Sequence, residues 1–143
     1  FIEQPCGKNS SPDFIICIKD KEVVALEAKS SKTLKPLYNS GGIKKKYLYV
    51  LSSEVLNKTT IYFGKDIISD EQQRIIENLI KGQKILEREA NNELKKYDVH
   101  KRGISYYTRP MIGQSGSRDK TDYFNHEYRE LCENNVLDKF KNK

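Results

Sequence analysis

Residues 10–32 read SSPDFIICIKDKEVVALEAKSSK, and the predicted fold is built around this segment. Two apolar runs, 13–18 and 23–29, are joined by a charged turn, which is the pattern of a β-hairpin. Both faces of both strands are apolar, as in strands from the middle of a covered sheet. An acid opens the first strand, however, and an acid and a lysine close the second. Charged groups at such places are costly unless something compensates them.

The register of the hairpin decides whether these charged residues meet. Side chains alternate between the faces of a strand, so Glu27 and Lys29 share one face. A two-residue turn would pair Asp13 with Ala28, which lies on the other face. A three-residue loop at 19–21 pairs Asp13 with Glu27 instead, and a bulge would give the same result. We therefore predict the register that brings Asp13, Glu27 and Lys29 together.

This cluster has the composition of a divalent-cation site. Two neighbouring carboxylates repel each other unless a proton or a cation lies between them. Mg²⁺ prefers oxygen ligands and usually takes one or two carboxylates with several waters. We predict a Mg²⁺ site formed by Asp13, Glu27 and the backbone carbonyl of Ala28, with Lys29 orienting a water or offsetting charge on a phosphate. The alternative is a structural salt bridge between Lys29 and the two acids.

The motif has a counterpart in a known superfamily. Pro-Asp at 12–13, a step of fourteen residues and Glu-Ala-Lys at 27–29, flanked by apolar strands, resemble the PD-(D/E)xK nucleases. Type II restriction endonucleases belong to this superfamily. The loop at 4–9 and the segment at 35–41 also resemble restriction-enzyme sequences. The resemblance covers roughly residues 4–64.

The resemblance implies a role for each of the clustered residues. It makes Asp13 and Glu27 the ligands of a catalytic metal and Lys29 the catalytic lysine. The superfamily core usually opens with a helix that can carry another acid, and only Glu3 precedes the motif here. Because the chain opens at Phe1 rather than at a methionine, we expect a further N-terminal part of the protein.

The rest of the chain predicts two more strands and then helices. Strands are expected at 47–52 and 60–64, which are rich in Tyr, Val, Ile and Phe. A capping box at Ser69–Gln72 begins an amphipathic helix, in one or two segments, that runs toward residue 97. Its apolar stripe contains Ile76, Leu79, Ile80, Gln83, Leu86, Ala90, Leu94 and Tyr97. Thr121 can cap a last helix. The inward residues predicted for that helix are Phe124, Tyr128, Leu131 and Leu137.

These elements predict an α/β fold with a mixed central β-sheet flanked by helices. At 143 residues the chain is long enough for one domain, 1–143. Within it, residues 1–68 hold the catalytic sheet, and residues 69–143 hold the helices and a candidate DNA-contact segment.

The charge of the chain favours an anionic partner. Lys and Arg number 26 against 20 Asp and Glu, giving a net charge of +6, for which nucleic acid is the commonest partner. The alternative is a soluble domain from a lysine-rich proteome. We predict DNA contacts in the loop after the motif from Lys32, Lys35, Asn39, Ser40 and Lys45. We predict more in segment 101–120 from Arg102, Tyr106, Tyr107, Arg109, Gln114, Ser115 and Arg118. Lysines suit phosphates, whereas Arg and Gln read guanine and adenine edges, and Arg109 is the first choice for a base contact.

Several classes of protein are excluded. No apolar run approaches the roughly 20 residues of a membrane-spanning helix. Cys6, Cys17 and Cys132 form no CxxC pair, so neither a zinc site nor a disulfide framework is expected. Cys17 is predicted to be in the core, and the compartment is predicted to be the cytoplasm. His100 and His126 have no second ligand at metal-binding spacing, which argues against a histidine-based nuclease.

The sequence therefore predicts a Mg²⁺-dependent type II restriction endonuclease that hydrolyses phosphodiester bonds of double-stranded DNA at a specific site. Cutting two strands requires two active sites, so a homodimer is expected. One alternative is a repair or junction-resolving nuclease on the same core. The other is a basic DNA-binding module without catalysis, although such a module has no reason to keep all three charged residues.

Overall fold

The computed structural model describes most of the chain, namely residues 1–7, 10–18, 22–32, 36–39, 42–113 and 123–141. The strands are β1 (Ile2–Glu3), β2 (Phe14–Cys17), β3 (Val23–Ser31), β4 (Leu37–Asn39), β5 (Leu48–Ser53), β6 (Lys58–Phe63) and β7 (Met111–Gly113). The helices are α1 (Asp70–Lys96) and α2 (Arg129–Lys141), with short 3-10 turns at Gly64–Asp66 and Tyr123–Asn125.

Five strands form a mixed sheet in the order β1-β2-β3-β5-β6. Strands β3 and β5 run parallel, and the other neighbours are antiparallel. Strands β4 and β7 form a separate antiparallel pair, called the ribbon below. The predicted α/β fold with a mixed sheet and helices is confirmed. All four predicted strands are present, whereas β1, β4 and β7 were not predicted.

The core consists of two apolar clusters. The first contains Tyr38, Ile43, Tyr49, Leu51, Tyr62, Ile68, Phe124 and Cys132. The second contains Val24, Leu48, Phe63 and Val136. The ribbon joins the first cluster through Tyr38 and its cross-strand partner Ile112, and the hydroxyls of Tyr38 and Tyr62 lie 2.8 Å apart. The ribbon is thereby fixed to the main sheet.

Helix α1 begins as predicted and is one continuous helix of 27 residues. Its capping box is formed, because Ser69 Oγ accepts from the Gln72 N–H at 3.1 Å and Gln72 Oε1 accepts from the Ser69 N–H at 3.0 Å. Its predicted apolar stripe is not buried, however. Leu79 is 61% exposed and Leu86 is 66% exposed, and α1 has no buried residue. Among the described residues, the helix contacts the core near its start, where Ile76 packs on the first cluster.

Helix α2 begins at Arg129, and the predicted cap Thr121 lies outside the described residues. Phe124 is buried as predicted. The other residues predicted to face inward, Tyr128, Leu131 and Leu137, are exposed. Cys132 and Val136 are buried instead. Because they are four positions apart, they share one face of the helix, and this face packs against the first cluster through Cys132 and against the second through Val136.

Two further observations concern exclusions made from the sequence. Cys17 is exposed, so its predicted place in the core is wrong. It pairs with Val23 near the turn end of the hairpin, where Val23 is exposed as well. Among the described residues, no helix has the length and apolar character needed to cross a membrane.

Candidate active site

The β2–β3 hairpin has the predicted register. Phe14 pairs with Leu26, and the Ile18 N–H donates to the Glu22 carbonyl at 2.9 Å. One more step along the same register sets Asp13 opposite Glu27. The Asp13 carboxylate is held there, because its Oδ2 accepts from the backbone N–H of Ala28 at 2.8 Å. Asp13 is thus fixed beside the strand that carries the other two charged residues.

Glu27 and Lys29 lie on the same face of β3 and contact each other directly. Lys29 Nζ donates to Glu27 Oε1 at 2.7 Å, and the side chains are only 16% and 12% exposed, respectively. The second oxygen, Glu27 Oε2, is buried and has no hydrogen-bond partner within the described part of the chain. An unpaired buried carboxylate oxygen is unfavourable. This oxygen is therefore available to a ligand such as a water or a cation.

A polar pocket of about 560 Å³ opens over these residues. The lining residues that the sequence predicted as site residues are Asp13, Glu27, Ala28, Lys29, Asn39 and Arg109. Its other members are Ser10, Ser11, Gly42, Lys44, Tyr47 and Tyr49. The pocket is thus lined by three parts of the chain: the β2–β3 hairpin with its acids and lysine, the ribbon, and the segment that precedes β7.

Tyr49 is a pocket residue that sequence reasoning missed. It lies on β5 directly beside Glu27, and its hydroxyl accepts from the Lys44 N–H at 2.8 Å. Burial raises the pKa of Tyr49 to about 12, and the Glu27 carboxylate adds to the rise. Tyr49 is therefore a neutral wall of the pocket at neutral pH. Its strand was predicted, but the parallel pairing that puts it beside Glu27 leaves no local signal.

Gly42 is a pocket residue that packs closely against the ribbon. Its φ of +77° belongs to the left-handed region that favours glycine. A Cβ at this position would lie 2.5 Å from Ile112 Cδ1. A side chain at residue 42 would therefore adopt a strained backbone conformation and force the end of the Ile112 side chain to move.

The predicted DNA-contact residues divide into three groups. Asn39 and Arg109 line the pocket. Lys45 forms an ion pair with Asp70 on α1. The remaining described candidates are exposed, and these are Lys32, Arg102, Tyr106 and Tyr107. The candidates Lys35, Ser40, Gln114, Ser115 and Arg118 lie outside the described residues.

Polar side chains of α1 hold the segment 106–108, called the strap below. Asn91 Oδ1 accepts from the Tyr106 N–H, and Asn91 Nδ2 donates to the Tyr106 carbonyl, both at 2.7 Å. Glu87 Oε2 accepts from the Thr108 N–H at 2.8 Å and from Thr108 Oγ1 at 2.7 Å. These two bonds hold the pKa of Glu87 below its usual value. The strap is therefore tied to α1 immediately before Arg109.

No protein-family model matches this chain, and no curated protein or solved structure matches it either. Within the described ranges, no group of three or more His, Cys, Asp or Glu side chains is assembled. The resemblance to the PD-(D/E)xK nucleases remains a prediction, and its support is the geometry of Asp13, Glu27 and Lys29.

Proposed function

We propose that this chain is a Mg²⁺-dependent endonuclease of the PD-(D/E)xK type that hydrolyses phosphodiester bonds in double-stranded DNA. The observation that carries the proposal is the convergence of Asp13, Glu27 and Lys29 in one polar pocket, where Glu27 Oε2 is buried without a partner among the described residues. A structural salt bridge would account for Lys29 and one oxygen of Glu27. It would not account for the second oxygen or for the approach of Asp13.

The donor set fits Mg²⁺. Asp13 and Glu27 supply carboxylate oxygens, and the Ala28 carbonyl is the third donor. In an extended strand the N–H and C=O of one residue point to the same side. The Ala28 N–H bonds to Asp13, so its carbonyl points to that side as well. When bound, Mg²⁺ would acidify a water and polarise a phosphate oxygen.

Lys29 is the residue assigned to the reacting phosphate. Its ammonium is largely buried and held by Glu27, which fixes its position in the pocket. From there it would orient the attacking water or offset negative charge on the phosphate. The bond that breaks is a P–O bond of the DNA backbone, and a water supplies the new oxygen on phosphorus.

The surface and the cysteines are consistent with this function. Lys32 and Arg102 are exposed and would contact backbone phosphates. We propose a homodimer with one active site for each strand and cleavage at a specific site, as in a restriction enzyme. All three cysteines are free, which fits a reducing compartment such as the cytoplasm.

Digestion of plasmid DNA by the purified protein tests the proposal. We expect discrete linear fragments with Mg²⁺, binding without cutting with Ca²⁺, and no cutting in excess EDTA. Fragment ends that map to one repeated sequence indicate restriction, whereas nicking confined to branched or damaged DNA indicates repair. Full cleavage in EDTA, or the absence of cleavage with either Mg²⁺ or Mn²⁺, contradicts the proposed function.

A further inference from the structure

Arg109 is exposed and lines the same pocket as the acids and Lys29. It comes from the segment before β7, whereas the acids and Lys29 come from the β2–β3 hairpin, and all of them line one pocket. Within the described part of the chain, its guanidinium has no carboxylate partner. Its positive charge is thus available in the pocket and is not neutralised by an ion pair among the described residues.

The other charged groups of the pocket indicate what Arg109 could bind. Lys29 is paired with Glu27 at 2.7 Å, so its positive charge is largely matched inside the protein. A DNA phosphate that enters the pocket brings a negative charge close to Asp13 and Glu27, whose charge a bound Mg²⁺ would offset without supplying a hydrogen-bond donor to the phosphate. A guanidinium stays charged at any working pH and binds two phosphate oxygens at once. Arg109 is therefore suited to hold a phosphate next to these acids.

The backbone around Arg109 is anchored on both sides. On its N-terminal side, Thr108 makes two hydrogen bonds to Glu87 of α1. On its C-terminal side, Pro110 fixes φ, and Met111 pairs with Asn39 in the ribbon. An anchored backbone loses less conformational freedom when its side chain binds a ligand. The strap and the ribbon therefore act together to aim Arg109.

This position favours a phosphate contact over a base contact. Base edges are read in the grooves of DNA, whereas backbone contacts position the duplex. A side chain that shares a pocket with the catalytic acids reaches the backbone where the bond is cut. The base-reading role predicted for Arg109 from the sequence is therefore the less suitable of the two.

We propose that Arg109 is a catalytic residue that binds the scissile phosphate opposite Lys29, and that Glu87 is a positioning residue that aims it through Thr108. This inference rests on the proposed nuclease function. It predicts that the loss of Arg109 slows cleavage at every site equally and leaves the choice of sites unchanged.

The first test measures single-turnover cleavage of supercoiled plasmid with Mg²⁺ and saturating protein. We expect Arg109→Ala to lower the rate about 10²-fold, as for the loss of one transition-state donor, and Arg109→Lys to recover part of it. The mapped fragment ends should not change. Arg74→Ala, which removes an exposed arginine of α1 that does not line the pocket, is the matched control and should keep the rate. An unchanged rate in Arg109→Ala, or fragment ends at new sequences, overturns the proposal.

The second test separates the positioning role from simple folding. Glu87→Ala should lower the same rate, whereas Glu87→Gln keeps an acceptor for Thr108 and should restore most of it. In an Arg109→Ala background, Glu87→Ala should have no further effect, because both changes remove one function. Additive losses would make Glu87 merely structural. If Lys29→Ala also cuts normally, the nuclease proposal fails; if only Arg109→Ala cuts normally, this inference fails alone.

Discussion

The five-stranded sheet and helix α1 use their apolar residues in opposite ways. In the sheet, Leu51 and Tyr62 are fully buried, whereas Leu79 and Leu86 on α1 are mostly exposed. The sheet is held by apolar packing. Helix α1 is attached near its start by Ile76, and farther along by hydrogen bonds from Glu87 and Asn91 to the strap. The sheet therefore supplies stability and the acids, whereas α1 mainly positions the strap.

The largest expected effect is the loss of cleavage in Lys29→Ala. Because Lys29 is assigned to the reacting phosphate, we expect turnover to fall by roughly 10³-fold while DNA binding with Ca²⁺ survives. Lys81→Ala on α1 is the matched control, since Lys81 is exposed and does not line the pocket. Plasmid cleavage and gel-shift binding give the two measurements. A Lys29→Ala protein with near-normal turnover returns Lys29 to the salt-bridge interpretation.

The next effect concerns stability. Leu51→Ala removes a fully buried side chain from the first cluster, and we expect it to lower the free energy of unfolding by about 2–5 kcal/mol. The same change at Leu86 on α1 removes an exposed side chain and should cost at most about 0.5 kcal/mol. Urea unfolding followed by circular dichroism measures both. Equal losses would mean that the Leu86 side chain is packed against another part of the protein or against a partner chain.

A smaller effect should appear when metal binds. If Asp13 and Glu27 hold Mg²⁺, a concentration of 100 times Kd stabilises the folded protein by about 2.7 kcal/mol. We expect Mg²⁺ or Ca²⁺ to raise the melting temperature of the wild type, and Glu27→Gln to abolish the rise. Glu89→Gln on α1 changes an exposed acid and should keep the rise. Stabilisation that persists in Glu27→Gln would place the metal elsewhere.

The smallest effect is the pH dependence of the strap. The bonds from Thr108 lower the pKa of Glu87, so the ionised carboxylate stabilises the folded arrangement. This contribution is present above the ordinary glutamate pKa and is lost as the pH falls through the lower pKa of the folded protein. The amide signal of Thr108, followed by NMR during acid titration, reports the loss. In Glu87→Gln this step should be absent, and a step at the ordinary glutamate pKa would contradict the assignment.

Much of the sheet could be predicted because its signals are local. The spacing of Asp13, Glu27 and Lys29, taken with the alternation of side chains, was enough to choose the hairpin register that the structure has. The capping box at Ser69 likewise located the start of α1. Charges placed at the ends of apolar strands were the signal for the site, because only compensation by partners makes them tolerable.

The remainder depended on contacts between distant parts of the chain. Periodicity found the apolar stripe of α1 but could not tell whether anything covers it, as the exposure of Leu86 shows. Strands β4 and β7 are only three residues long, and their pairing has no local pattern. The position of Arg109 in the pocket follows from that pairing. Sequence reasoning therefore selected Arg109 as a DNA contact but not its place beside the acids.

The pairing of Asn39 with Met111 also bears on how the molecule assembles. The hairpin that carries both acids closes over three residues, so its ends find each other quickly. In the sequence, the two strands of the ribbon are separated by β5, β6 and α1. Their pairing therefore closes a much longer loop, which costs more conformational entropy. We expect the acids and Lys29 to be in register early in folding, and Arg109 to join them late. During folding, the acids and Lys29 would thus come together before Arg109 could bind a substrate phosphate. Only the completely folded protein would then be able to cleave DNA.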